Sequence, residues 1–84
     1  MLFQNRPNPY TNETTINYYV PENAGTAVMT FYDETGSAVK EVELLKKGNN
    51  SLVLSTNKLA SGIYSYSLVV DGRVIDTKKM VKTK

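Results

Sequence analysis

From Ile63 to Val70 the chain alternates strictly: Tyr64, Tyr66, Leu68 and Val70 take one phase, Ile63, Ser65, Ser67 and Val69 the other. A repeat of two puts the first four on one face of a β-strand, since successive side chains along a strand point to opposite sides. Asp71-Gly72 follows at once, before a second β-rich run that starts at Arg73. Both residues tolerate the positive φ of a type I′ turn, so this stretch is read as a hairpin with a strand from Arg73 to about Val81. No stretch of about ten residues carries helical spacing, so the rest of the chain must also fold through strands.

The same alternation recurs upstream. Ile16, Tyr18 and Val20 alternate with Thr15, Asn17 and Tyr19, and Pro21 closes that strand. After turn material from Glu22 to Gly25, Ala27, Met29 and Phe31 alternate with Val28, Thr30 and Tyr32, and Asp33-Glu34-Thr35-Gly36 reads as a hairpin connection with Gly36 left-handed. Ala38 to Leu45 starts with Val39 inward but continues with Val42 and Leu44, a change of phase that a one-residue β-bulge near Lys40 and Glu41 explains. Lys46 to Asn50 reads as a polar turn, Ser51 to Ser55 as a short strand, and Thr56 to Gly62 as a loop whose Leu59 plugs the core. Six strands, or seven if Leu2 to Gln4 pairs, give an all-β antiparallel sandwich of two sheets. Its expected core is Ile16, Val20, Met29, Phe31, Leu52, Leu54, Tyr64, Tyr66 and Leu68. With 84 residues the chain is expected to be one domain, 1–84.

Composition then narrows the function. Histidine and cysteine are both absent, which removes thiolate nucleophiles, cysteine-based metal sites, disulfides and the usual imidazole base, so no enzyme activity and no cofactor are expected. Glu41 and Glu43 share a solvent face and Asp33 caps its hairpin, so neither acidic pair reads as a catalytic dyad. No Asp-x-Asp loop collects Asp33, Asp71 and Asp76, so no calcium site is expected from them. Of the tyrosines, Tyr18, Tyr64 and Tyr66 share the core phase with hydroxyls at the rim, and Tyr19 alone is out of phase, too little for a sugar-stacking platform. Arg73, Lys78, Lys79, Lys82 and Lys84 against Asp76 concentrate positive charge at the C-terminal end. Without an RNA-binding motif this reads as a solvated edge strand protected by lysine, not as a nucleic-acid surface. The longest clean aliphatic run is Leu68 to Val70, so no transmembrane segment is expected, and Met1 to Tyr10 has no apolar core of a cleavable signal.

Individual residues go further than the pattern. Leu2, Gln4-Asn5, Pro7-Asn8-Pro9 with Tyr10, then Thr14-Thr15-Ile16 and Tyr18, resemble the opening of a type IX secretion system C-terminal sorting domain of type A. Phe31-Tyr32-Asp33 with Gly36 and Val39, Leu59-Ala60-Ser61-Gly62-Ile63-Tyr64 with Tyr66 and Leu68, and Thr77-Lys78-Lys79-Met80-Val81 are similar to that family's second hairpin, central strand and terminal strand. Leu54 stands where members often place Trp, and Lys82-Thr83 where they often continue with aliphatic residues.

The resemblance implies an immunoglobulin-like sandwich from Bacteroidota that directs an upstream cargo across the outer membrane, with the type IX machinery as partner. It also implies removal by a cell-surface sortase of the cysteine-peptidase class, release of cargo or its attachment to anionic lipopolysaccharide, and passage through the periplasm to the surface or medium. Met1 would then be a scar of separation from the cargo. Partner recognition is expected at Lys78, Lys79, Met80, Val81 and Lys82 on the terminal strand. The alternatives are a structural terminus of a phage-like or surface fibre without a sorting role, or a generic adhesion module.

Overall fold

The computed structural model describes residues 1–55 and 58–84. Six strands carry it: β1 (Glu13–Val20), β2 (Ala27–Tyr32), β3 (Ala38–Glu43), β4 (Gly48–Ser55), β5 (Gly62–Val70) and β6 (Arg73–Lys82). They form a two-stranded sheet, β1-β4, and a four-stranded sheet in the order β3-β2-β5-β6, with every pair of neighbouring strands antiparallel. The result is the all-β antiparallel sandwich expected from the alternation, of the immunoglobulin-like form that the resemblance implied, with no helix among the described residues.

The inner phases meet between the sheets. Ile16, Val20, Met29, Phe31, Leu54, Tyr64, Tyr66 and Leu68 are all buried, while Leu52 is only partly buried and packs against them. On the inner face Met29 lies opposite Leu68 and Phe31 opposite Tyr66, whose rings sit with centroids 6.0 Å apart at 33°. Leu59 also packs on this cluster, as its place before β5 suggested; the first two residues of its loop, 56 and 57, lie outside the described residues.

Three strand boundaries and phases differ from the sequence reading. β4 begins at Gly48, because Gly48, Asn49 and Asn50 pair with Val20, Tyr19 and Tyr18; of these only Asn49 is exposed, opposite the exposed Tyr19. The bulge in β3 exists, but the extra residue is Val39, since Phe31 pairs with Lys40 and Tyr32 with Ala38. Val39 is consequently exposed and not inward, while Val42 is half-buried and Leu44 buried beyond it. A second bulge, in β6, was not foreseen. Leu68 pairs with Asp76 but Val69 with Val74, so Ile75 is extra, and the phase of the rest of β6 is reset.

The hairpin between β5 and β6 is the two-residue turn that Asp71-Gly72 implied: Val70 pairs with Arg73, and Asp71 and Gly72 have φ of 50° and 79°. Asp71 does more than turn the chain. Its Oδ1 accepts the Gly25 and Thr26 amides, both at 2.8 Å, and so ties the β1–β2 connection to this hairpin. A Cβ at Gly72 would meet nothing within 4 Å, so substitution there is a matter of backbone conformation alone. Gly72→Val forces a β-branched residue into the left-handed region and is expected to cost about 1 to 2 kcal/mol in thermal or urea unfolding. A neutral outcome would mean that the turn reshapes freely.

Candidate functional site

The terminal strand owes its facing to the bulge at Ile75. Beyond it Lys78, Met80 and Lys82 pair with Tyr66, Tyr64 and Gly62, and Thr77, Lys79 and Val81 with Ser67, Ser65 and Ile63. Of the residues expected to recognise a partner, Met80 is fully buried in the core and Lys82 is 8 % exposed. Lys78 and Val81 are half-buried and Lys79 is exposed. Lys79 lines a shallow surface depression with Asp33, Glu34, Ile63, Tyr64 and Ser65. The basic residues of β6 are therefore divided between its two faces and do not form one continuous patch.

The edge of β6 is not the unpaired ladder that a terminal strand implies. An N-terminal arm, residues 1–12, covers the outer edges of both sheets. Its first half lies along β1: Phe3 N donates to Asn17 O, Tyr19 N to Met1 O, and Arg6 and Thr15 exchange both amide bonds. Leu2 and Tyr18 form a bridge there, so the expected seventh strand is present as an isolated bridge flanked by these bonds and not as a full strand. The chain then passes through the cis bonds Arg6-Pro7 and Asn8-Pro9 and reaches β6. There Val81 N donates to Asn8 Oδ1 at 2.9 Å, while Gln4 Nε2, from the part of the arm before the cis bonds, donates to Lys79 O at 2.6 Å. Tyr10 bridges Lys82 in parallel: its N–H donates to Val81 O at 3.0 Å and its carbonyl accepts Thr83 N at 2.8 Å. Pairing of this kind hides a strand edge from unwanted partners.

Buried polar groups fix the arm. Asn5 and Thr14 are each 1 % exposed; Asn5 Nδ2 donates to Thr14 Oγ1 and Pro7 O, and Thr14 Oγ1 donates to Pro7 O. Tyr66, on β5, reaches across the core. Its hydroxyl donates to Phe3 O and accepts the Asn5 amide, each at 2.8 Å. Burial above all raises its phenol, the Asn5 N–H draws it partly back and the Asp76 carboxylate adds to the rise, so that it is pushed up to about 12. Tyr64 likewise donates to Ala60 O. Tyr18, Tyr64 and Tyr66 are core residues, as their phase implied, but the Tyr66 hydroxyl is an interior clasp for the arm and not a rim group. The sequence had shown Tyr10 only as part of a resemblance; its burial to 2 % comes from pairing with a residue far along the chain, which leaves no local periodicity.

The three aspartates are engaged separately. Asp33 Oδ1 accepts Thr35 N, Thr35 Oγ1 and Ser37 N, and these bonds, led by the Thr35 hydroxyl, hold its carboxyl below the usual range. Asp71 holds Gly25 and Thr26, and Asp76 accepts the Thr77 amide. Among the described residues no three acidic side chains gather where a metal ion could sit.

Two antiparallel sheets, clasped along one side by an arm and ending in a lysine-bearing strand, define a small immunoglobulin-like module whose distinctive surface is its terminal strand. The chain matches the family described as the secretion system C-terminal sorting domain over residues 6–83, and it belongs to that family. It is a sorting signal of type IX secretion, carried in cis by a cargo that passes to the cell surface, and its family is not one of enzymes. Neither a curated protein nor a solved structure matches the chain.

Proposed function

We propose that the folded domain is read by the outer-membrane secretion machinery through β6, with Lys79 as the principal exposed contact, Lys78 and Val81 beside it, and Met80 and Lys82 holding the strand in place. The observation that carries this reading is that the family match extends through β6 to residue 83. The structure adds a rationale: the second bulge turns Met80 inward as an anchor and leaves Lys79 outward, so an exposed cation sits at a fixed position on a rigid strand. Transit would run through the periplasm, and a cell-surface sortase would remove the domain after translocation.

Residues 1–84 fused behind a periplasmically exported reporter, in a bacterium carrying type IX machinery, are expected to send the reporter to the surface or medium. Lys79→Ala is expected to reduce that export while shifting the melting temperature little, because Lys79 faces solvent and an exposed lysine contributes little to stability. Retention of the intact fusion in the periplasm, beside a standard family member exported in the same strain, would refute the sorting reading and favour a structural terminus.

A further inference from the structure

The bonds along the outer edge of β6 describe a strand-acceptor site already holding an occupant. Reading along the arm, the site takes a side-chain amide oxygen on Val81 N, then a backbone N–H and C=O two residues later on Val81 O and Thr83 N. The residue in that second position, Tyr10, is buried, and the next, Thr11, places its hydroxyl 3.0 Å from that of Thr83. The site therefore selects an extended segment, parallel to β6, with Asn, then an aromatic ring, then a hydroxyl.

The occupant is lightly held. From Arg6 to Glu13 only Tyr10 is buried; Arg6, Pro7, Asn8, Pro9, Thr11, Asn12 and Glu13 are all exposed. Segments with few buried apolar contacts open locally at a small fraction of the global stability. The part of the arm before it has separate anchors in Leu2, Asn5 and the Tyr66 hydroxyl, and Pro7 O is held by Asn5 Nδ2 and Thr14 Oγ1, so residues 8–12 can leave β6 while the arm stays on β1. The geometry points to strand exchange at this edge: an extended peptide of the secretion machinery with the pattern amide, any residue, aromatic, hydroxyl adds to β6 in place of Asn8 to Thr11. Main-chain pairing supplies the adhesion and the pocket of Tyr10 the selectivity. The identity of the partner rests on the sorting reading; the acceptor site itself does not.

Hydrogen exchange on the unaltered domain tests the opening. The Tyr10, Val81 and Thr83 amides are expected to exchange together and at least about tenfold faster than the inter-strand amides of β2 and β5; equal rates would mean that the edge opens only by global unfolding and would overturn the proposal. A synthetic peptide spanning Gln4 to Asn12, added to labelled Tyr10→Ala protein, is expected to shift the Val81 and Thr83 resonances. The same peptide with its tyrosine replaced by alanine is expected to bind at least about tenfold more weakly. No shift, or no dependence on the ring, would refute the site, and the exchange measurement decides the matter if Tyr10→Ala does not fold.

In the export assay, Thr11→Cys with Thr83→Cys locks the arm to β6 when oxidised, the hydroxyls being close enough for a disulfide. Export of the unaltered fusion with retention of the locked one supports strand exchange, and equal export of both overturns it. Retention of both refutes the sorting reading and leaves the acceptor site to the peptide measurement.

Discussion

Leu68→Ala is expected to lower the free energy of unfolding by about 2 to 5 kcal/mol, more than any surface change in this chain. Leu68 has no exposure, lies mid-way along β5 between β2 and β6, and faces the inter-sheet core opposite Met29. Removing its isobutyl group forfeits the transfer energy of the lost carbons and leaves a cavity that two paired neighbouring strands cannot easily close. A domain of this size has about 4 to 13 kcal/mol in total, and no cysteine is present to supply a disulfide, so the variant stands near its unfolding threshold. Ile75→Ala is the matched comparison. Ile75 is an aliphatic residue in the adjoining strand but is extruded by the bulge and 51 % exposed, so its loss is expected to cost below about 0.5 kcal/mol. Urea titrations with unchanged slopes make the comparison. Equal effects at the two positions would show that the phase of β5 or the bulge in β6 is misplaced.

What the sequence revealed follows from the range over which each signal acts. β5 and its turn were legible because alternation and Asp71-Gly72 are local, and the burial of Tyr64, Tyr66, Leu68 and Val70 follows from period two alone. The bulge in β3 was legible as a phase conflict between Val39 and Val42, although a phase conflict does not say which residue is extruded. In β6 the inward positions after the bulge are Lys78, Met80 and Lys82, so the apolar alternation that would have exposed the shift is masked by lysine. The arm was the least legible. Its bonds to β5 and β6 join residues more than sixty positions apart, as from Asn5 to Tyr66, and mostly use backbone groups that every residue possesses. The candidate strand was therefore found, but its covered edge was not.

Tyr66 carries the second large effect, because its hydroxyl makes two bonds that tie the arm to β5 across the core. Tyr66→Phe keeps the ring beside Phe31 but leaves the buried Asn5 N–H and the partly buried Phe3 carbonyl without their partner, an expected loss of about 2 to 4 kcal/mol at neutral pH. The same bond makes stability sensitive to alkali. The phenol ionises near 10 in the unfolded chain and about 12 in the folded domain, principally because burial penalises the anion. A pKa raised by folding contributes stability that is complete below about pH 10 and is lost as pH climbs from there towards 12, at up to about 1.4 kcal/mol per unit. Unfolding free energies at pH 9, 10 and 11 should fall more steeply for the native chain than for Tyr66→Phe, so that the two curves converge with rising pH. Curves that stay parallel would place the alkaline sensitivity elsewhere, and an Asn5 amide equally protected in both proteins would show that the arm does not depend on this hydroxyl.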